Sequence, residues 1–387
     1  MPSIEQFRTG FSIAEPVLAD LRRRLSETRW PASPAGDPWA YGTSLEYLRS
    51  VVDHWRNDFD WRARERLLNH HRHYLLPVRG RDVHVVVVEG GNGQRPPVLM
   101  GHGWPGAFTE FLQVADRLAH PGRHGGSGED AVTAVLVSLP GCGLSSAPAK
   151  PIGPRDIAAD WLCIMREHLG HERFLVHGSD WGAAIASWLA ADQPDAVVGL
   201  HLTSAIIQPD IAAPGIELEE EERAFLQRRA ARGPWESGYQ AIQGSKPLTL
   251  AYGLTDSPAG LAAWILEKYQ SWGAARGTAA PPPVPLDELL TILSLYWFAG
   301  PGPSTWIYRF LLDGTGLRFP AGLRVRVPTA ICSFRHDVSP PSPAVWQQRC
   351  YEVVRRTAVD HGGHFPGLDA GSALATDLAA FIRQLLD

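Results

Sequence analysis

The chain has 387 residues, enough for about two or three domains at roughly 100–200 residues each. Hydrophobic residues make up 44% and charged residues 20%, so a large core can be buried and wholesale disorder is excluded. Lys and Arg total 36 against 41 Asp and Glu, a net charge of −5, which leaves no electrostatic case for nucleic acid.

The opening stretch, MPSIEQFRTGFSIAEP, lacks the basic apex and apolar run of a signal peptide. Nowhere do about 18 uncharged apolar residues run together, so no membrane span is expected. A soluble, cytoplasmic globular protein is the expectation. Leu18, Leu21, Leu25 and Trp30 suit one helical face behind Pro16. After the break at Asp37-Pro38, one helical pattern runs from Leu45 to Trp61 through Leu48, Val51, Val52 and Trp55. These segments are predicted to form a helical layer beside the core.

Val83–Val88 is a β-branched run between Gly80 and Gly90-Gly91-Asn92-Gly93, a strand and a turn, followed by a second strand at Val98–Met100. Strands and helices then alternate: Val132–Leu139, helix Ile157–Leu169, Phe174–Val176, helix Ala183–Leu189, Val197–Leu202. That alternation predicts a mostly parallel sheet covered by helices. It stops near Ser204. Helical patterns at Glu219–Arg229, Leu261–Trp272 and Leu286–Phe298 follow, with a proline-rich break at Pro281–Pro285. The acidic run Glu219–Glu222 reads as a solvated helix face. The α/β pattern returns at Thr329–Ser333 and closes on helix Ala373–Leu386. Cys142, Cys163, Cys332 and Cys350 form no CxxC pair, which argues against a disulfide scaffold or zinc knuckle.

The strongest local signal is Val176-His177-Gly178-Ser179-Asp180-Trp181-Gly182-Ala183, after a strand and opening a helix. A small-x-nucleophile-x-small pentapeptide there forms a sharp elbow that lifts its central side chain above the sheet. Gly178 and Gly182 put Asp180 at the centre; centring on Ser179 would set His177 and Trp181 where small residues are needed. In this fold class the order is nucleophile, acid, histidine. Asp337, after the strand ending at Ser333, and His364, in the loop His361-Gly362-Gly363-His364, fit that order; His336 and His361 rank below. Gly101-His102-Gly103-Trp104-Pro105-Gly106 follows strand Val98–Met100. A loop there supplies one oxyanion donor and the residue after the nucleophile the other, here the amides of Trp104 and Trp181. Gly141-Cys142-Gly143 reads as a structural turn lining the pocket, not a dinucleotide loop.

A carboxylate nucleophile suits displacement at an sp³ carbon, giving an alkyl ester that activated water then cleaves. Epoxides and alkyl halides are the candidate substrates, and a departing alkoxide needs an acid such as tyrosine. The helical insertion carries Tyr239, Tyr252, Tyr269, Tyr296 and Tyr308.

Over almost its whole length the chain resembles the microsomal-type epoxide hydrolases. Trp55-Arg56-Asn57-Asp58-Phe59-Asp60-Trp61 resembles their N-terminal signature, and His102–Gly106 is similar to their oxyanion motif, where the Trp–Pro bond is expected to be cis. The resemblance makes Asp180 the nucleophile, Asp337 the charge-relay acid, His364 the water-activating base, and Tyr239 and Tyr308 the epoxide-polarising acids. Ser237-Gly238-Tyr239, Ser245-Lys246-Pro247 and Asp256–Lys268 look like the cap of these enzymes; the remaining tyrosines are assigned to core packing. Asn69-His70-His71-Arg72-His73-Tyr74 has a metal-like composition but falls where the family has a linking strand, so packing or surface is expected. Ser179 stands where the family usually has a second glycine, Pro366-Gly367-Leu368 replaces its usual continuation after His-Phe, and the membrane anchor of its eukaryotic members is missing.

The implied fold is an α/β-hydrolase fold: an N-terminal extension over 1–95, a core over 96–205 and 325–387, and a helical cap over 206–324. The implied partner is a small-molecule epoxide, with no cofactor, metal, nucleic acid or membrane, and with a homodimer as the allowed assembly. Two other readings stand beside this one. A haloalkane dehalogenase would use the same Asp180-Trp181 pair. A biosynthetic α/β-hydrolase would open a natural-product epoxide with an internal nucleophile, or cleave an ester or peptide bond.

Overall fold

A computed structural model describes residues 4–91, 93–211, 216–339 and 341–386, with the backbone alone for 232–235. Asn92 of the predicted turn lies outside the described residues. The strands are β1 (Arg8–Thr9), β2 (Arg72–Val78), β3 (Arg81–Val88), β4 (Val98–Gly101), β5 (Ala134–Val137), β6 (Phe174–Gly178), β7 (Val197–Leu202), β8 (Pro328–Phe334) and β9 (Glu352–Val359). They form one sheet in the order β1-β2-β3-β5-β4-β6-β7-β8-β9. From β5 through β9 all neighbours run parallel, whereas β1, β2 and β3 add an antiparallel edge. Three strands of the N-terminal stretch are thus part of the main sheet. Strands β4, β5 and β6 are buried along their whole length, which explains their continuous apolar runs.

Two helix pairs cover the sheet: Leu112–Ala119 with Gly371–Leu386, and Pro154–Cys163 with Trp181–Asp192. The helix expected at Ile157–Leu169 changes to a π turn at Ile164–His168, where the Leu169 amide donates to the Ile164 carbonyl at 3.0 Å. The single helix expected from Leu45 to Trp61 is two, Leu45–Asn57 and Trp61–Leu68. The cause is local: the Asp60 carboxylate accepts from the Ala63 amide at 3.1 Å and starts a new helix at Trp61. Trp30 lies beyond the first helix, Glu15–Ser26, and stacks under Arg49 at 5.0 Å.

Between β7 and β8 the chain builds a helical layer from Glu220–Glu236, Gly238–Ser245, Pro247–Asp256, Pro258–Ser271 and Leu286–Ala299. A lone bridge between Gln208 and Arg318 closes its base. The N-terminal helices hold this layer from the side: Trp55 Nε1 donates to Ser294 Oγ at 3.1 Å and Arg64 Nε to Thr291 Oγ1 at 2.8 Å. The run Glu219–Glu222 is not a purely solvated face. Glu222 is buried, and its two oxygens accept from Arg349 at 3.0 and 3.1 Å, which gives the buried charge its partner. Asn69 and His73 are packed too: Asn69 hydrogen-bonds both Phe11 backbone groups at 2.8 Å, and His73 Nδ1 lies 2.9 Å from His84 Nε2. Among the described residues no cluster is suited to holding a metal ion and no helix is long and apolar enough to cross a membrane.

Candidate active site

The elbow forms as its glycines require. Asp180 sits between β6 and helix Trp181–Asp192 with φ +50° and ψ −126°, a left-handed conformation that costs of order 1–3 kcal/mol in a non-glycine residue. A Cβ on Gly178 would lie 2.3 Å from the Gly182 carbonyl oxygen, and one on Gly182 2.0 Å from that of Gly101. The neighbours must therefore be glycine for the turn to close. Ser179 is buried, and its amide donates to the Gly101 carbonyl at 3.1 Å, so a residue larger than glycine fits where the family usually has one.

The loop after β4 faces Asp180. The Trp104 amide donates to Asp180 Oδ1 at 3.0 Å, and the Trp104–Pro105 bond is cis. A Cβ on Gly103 would fall 2.1 Å from Asp180 Oδ1, so only glycine lets the loop come this close. His102 is buried and bonded on both sides, to the Gly103 carbonyl at 2.9 Å and the Leu139 amide at 3.2 Å; burial lowers its pKa to about 4. It is a neutral strut, with Nδ1 donating and Nε2 accepting. The Trp181 amide heads the helix beside Asp180.

His364 joins the two carboxylates. Its Nδ1 lies 3.0 Å from Asp337 Oδ1 and its Nε2 3.4 Å from Asp180 Oδ2. Asp337 is itself held by the Ser204 hydroxyl at 3.2 Å and the Ser339 amide at 2.9 Å. Burial alone would depress the His364 pKa, but the charges of Asp337 and Asp180 outweigh it and hold it well above the ordinary value. The rivals stand apart: His361 is exposed and pairs with Asp360.

Tyr239 and Tyr308 close the space above Asp180. Their rings meet edge to face at 5.6 Å, and both pack on Trp104, at 5.6 and 5.8 Å. Burial raises both phenol pKa values, so the hydroxyls stay protonated. The Tyr308 hydroxyl is buried beside Tyr239 and Trp181 and makes no well-formed hydrogen bond among the described residues. Asp180, His364, Tyr239 and Tyr308 all line one cavity of about 260 Å³.

Other expectations need correction or extension. Gly141-Cys142-Gly143 does not line this cavity; it is a turn with φ of +74° and +58° at its glycines, packed against Pro303 and Ser138. Tyr252 is not core, being 72% exposed on helix Pro247–Asp256. Tyr269 and Tyr296 are core, and they also donate to the Pro105 and Gly106 carbonyls at 3.2 and 2.9 Å, fixing the loop that carries Trp104. Sequence reasoning missed Trp272, whose carbonyl accepts from the His364 amide at 2.9 Å. It also missed Lys268, 4.5 Å from the centre of the Tyr239 ring. Lys268 closes the cap segment Asp256–Lys268, so the motif marked it without giving a role. Two further acids lie near His364: burial raises the pKa of Glu110 to about 8 and of Asp369 to about 6.

The family model for the epoxide hydrolase N terminus matches residues 4–111, and that for the alpha/beta hydrolase fold matches residues 96–234. The chain is 31% identical to epoxide hydrolase 1 of Sus scrofa, over 99% of this chain and 89% of that protein. The chain belongs to the microsomal-type epoxide hydrolases. Juvenile hormone epoxide hydrolase of Manduca sexta is 31% identical to it over 99% of this chain and 87% of the relative. Among solved structures, Aspergillus niger epoxide hydrolase superposes with a TM-score of 0.82 at 27% identity, covering 98% of this chain and 96% of that one. The silkworm juvenile hormone epoxide hydrolase gives a TM-score of 0.82 at 26% identity, over 98% and 93%. This epoxide hydrolase therefore has the α/β-hydrolase fold and acts as an enzyme, as the sequence implied.

Proposed function

We propose that the enzyme opens small-molecule epoxides through an ester formed on Asp180. The carboxylate attacks one ring carbon, the C–O bond breaks, and Tyr239 and Tyr308 donate to the departing oxygen. The ester carbonyl then faces the amides of Trp104 and Trp181, which stabilise the oxyanion as water adds. His364 takes the proton of that water, and Asp337 steadies the imidazolium. As the intermediate collapses the ester C–O bond breaks, the His364 imidazolium protonates the leaving alkoxide, and the proton of the resulting Asp180 carboxylic acid restores the tyrosine hydroxyl, returning Asp180 to the carboxylate.

The observation that carries this reading is the position of Asp180 between opposing groups: a backbone donor at 3.0 Å on one oxygen, an imidazole at 3.4 Å from the other, and two protonated phenols sharing its cavity. A serine hydrolase would have no work for those phenols, and a displaced halide would need no proton. The charge balance supports a two-step cycle. While Asp180 is anionic it helps hold a proton on His364; once esterified it is neutral, His364 gives up proton affinity, and the imidazole becomes a base.

Turnover of racemic styrene oxide by Asp180→Asn tests the assignment. Diol formation should vanish, with mass analysis excluding deamidation back to aspartate. Undiminished diol formation by intact Asp180→Asn protein would remove the nucleophile from this account.

A further inference from the structure

The cavity that holds Asp180 continues along a wall formed by Gln208, Phe225, Arg229, Leu317 and Trp346. Arg229, on helix Glu220–Glu236, lies in that wall and has no ion-pair partner among the described residues. With its oxygen turned toward the guanidinium, the Gln208 amide accepts from both terminal nitrogens at 2.8 Å. Gln208 is fixed, its amide donating to Leu317 at 2.7 Å and its carbonyl accepting from Phe319 at 3.3 Å. The acids nearby are committed elsewhere: Glu236 to Arg276 at 3.2 Å, Glu222 to Arg349, Asp337 to His364. Burial lowers the Arg229 pKa, and no acidic neighbour offsets it. A guanidinium has more donors than one amide oxygen can receive, and Arg229 is exposed, so its remaining N–H groups are open to a ligand.

We infer that Arg229 is a specificity residue that selects epoxides carrying an oxyanion, most simply a carboxylate, away from the reacting ring. The inference rests on the epoxide-opening reading above. A planar carboxylate takes two parallel N–H donors from one guanidinium, and Phe225, Leu317 and Trp346 offer apolar surface to the connecting carbon skeleton. A neutral substrate leaves the cation without a counter-charge.

The test compares ω-epoxy carboxylic acids of graded chain length with their primary amides. At the matching length, wild-type kcat/KM should favour the acid by at least about tenfold. Arg229→Gln should abolish that preference through the KM of the acid, and Arg229→Lys should restore part of it. Added salt should shrink the preference in the wild-type enzyme, a readout independent of any variant's folding. Equal kcat/KM for acid and amide at every length, or an acid-to-amide ratio unchanged in Arg229→Gln, would overturn the inference. Failure of the underlying reading looks different: neither acid nor amide is turned over, and both fall together.

Discussion

Two histidine–carboxylate chains of similar dimensions run through this molecule. In one, Asp337 lies 3.0 Å from His364, and His364 3.4 Å from Asp180. In the other, Asp377 lies 3.2 Å from His201, and His201 3.0 Å from His177. The surroundings separate them. Asp377 also accepts from Arg355 at 2.8 and 2.6 Å and from Thr357 at 2.7 Å, and the whole chain is buried away from the cavity. There a fixed cation balances the carboxylate, and burial keeps the His177 pKa far below its ordinary value. His364 instead stands between two carboxylates that both line the cavity, and among the described residues neither pairs with an arginine or lysine. Distance alone does not make a proton relay. The proposed relay differs by its unbalanced charge beside an accessible space.

Substitutions should divide along the same line. Asp180→Asn should lower kcat by about 10⁴-fold or more while leaving the melting temperature near the wild-type value. Asp377→Ala should do the reverse, costing about 3 kcal/mol of stability by leaving the buried His201 and the partly exposed Arg355 without their carboxylate, with diol formation by the folded fraction retained. Denaturant unfolding followed by single-turnover kinetics on the same samples separates the two. A kinetic loss in Asp377→Ala as large as in Asp180→Asn would erase the distinction. As pH falls through the His364 pKa of the esterified enzyme, protonation should slow ester hydrolysis by up to about tenfold per pH unit, so the alkyl-enzyme should accumulate on rapid quenching. Tyr308→Phe should lower the rate of ester formation by about 10–100-fold, measured in a single turnover.

Glu110 gives the clearest sign. Burial raises its pKa from an ordinary 4.5 to about 8. The folded state therefore holds a proton that the unfolded state has lost, and stability falls as pH rises between those values. The slope is at most roughly 1.4 kcal/mol per pH unit. Glu110→Gln should flatten that slope, read from unfolding midpoints across the range.

What the sequence revealed follows from how local each constraint is. Asp180 was legible because Gly178 and Gly182 are demanded by backbone contacts within a few residues of the nucleophile and with Gly101. Asp337 and His364 followed from chain order in the fold class. The second chain left no trace, because His177 and His201 are 24 residues apart and His201 and Asp377 176, with no periodicity linking them. Glu222 looked solvated because its partner Arg349 is 127 residues away. Arg229 was hidden for the same reason: its helix reads as an ordinary charged surface helix, and only tertiary packing turns one face into a cavity wall.

The central claim is that the new hydroxyl oxygen comes from Asp180 and not directly from water. A single turnover with enzyme in excess, in water labelled with heavy oxygen, tests it most directly. The account predicts an unlabelled diol and one labelled oxygen in the peptide that contains Asp180. Label in the diol with an unlabelled Asp180 peptide would contradict it.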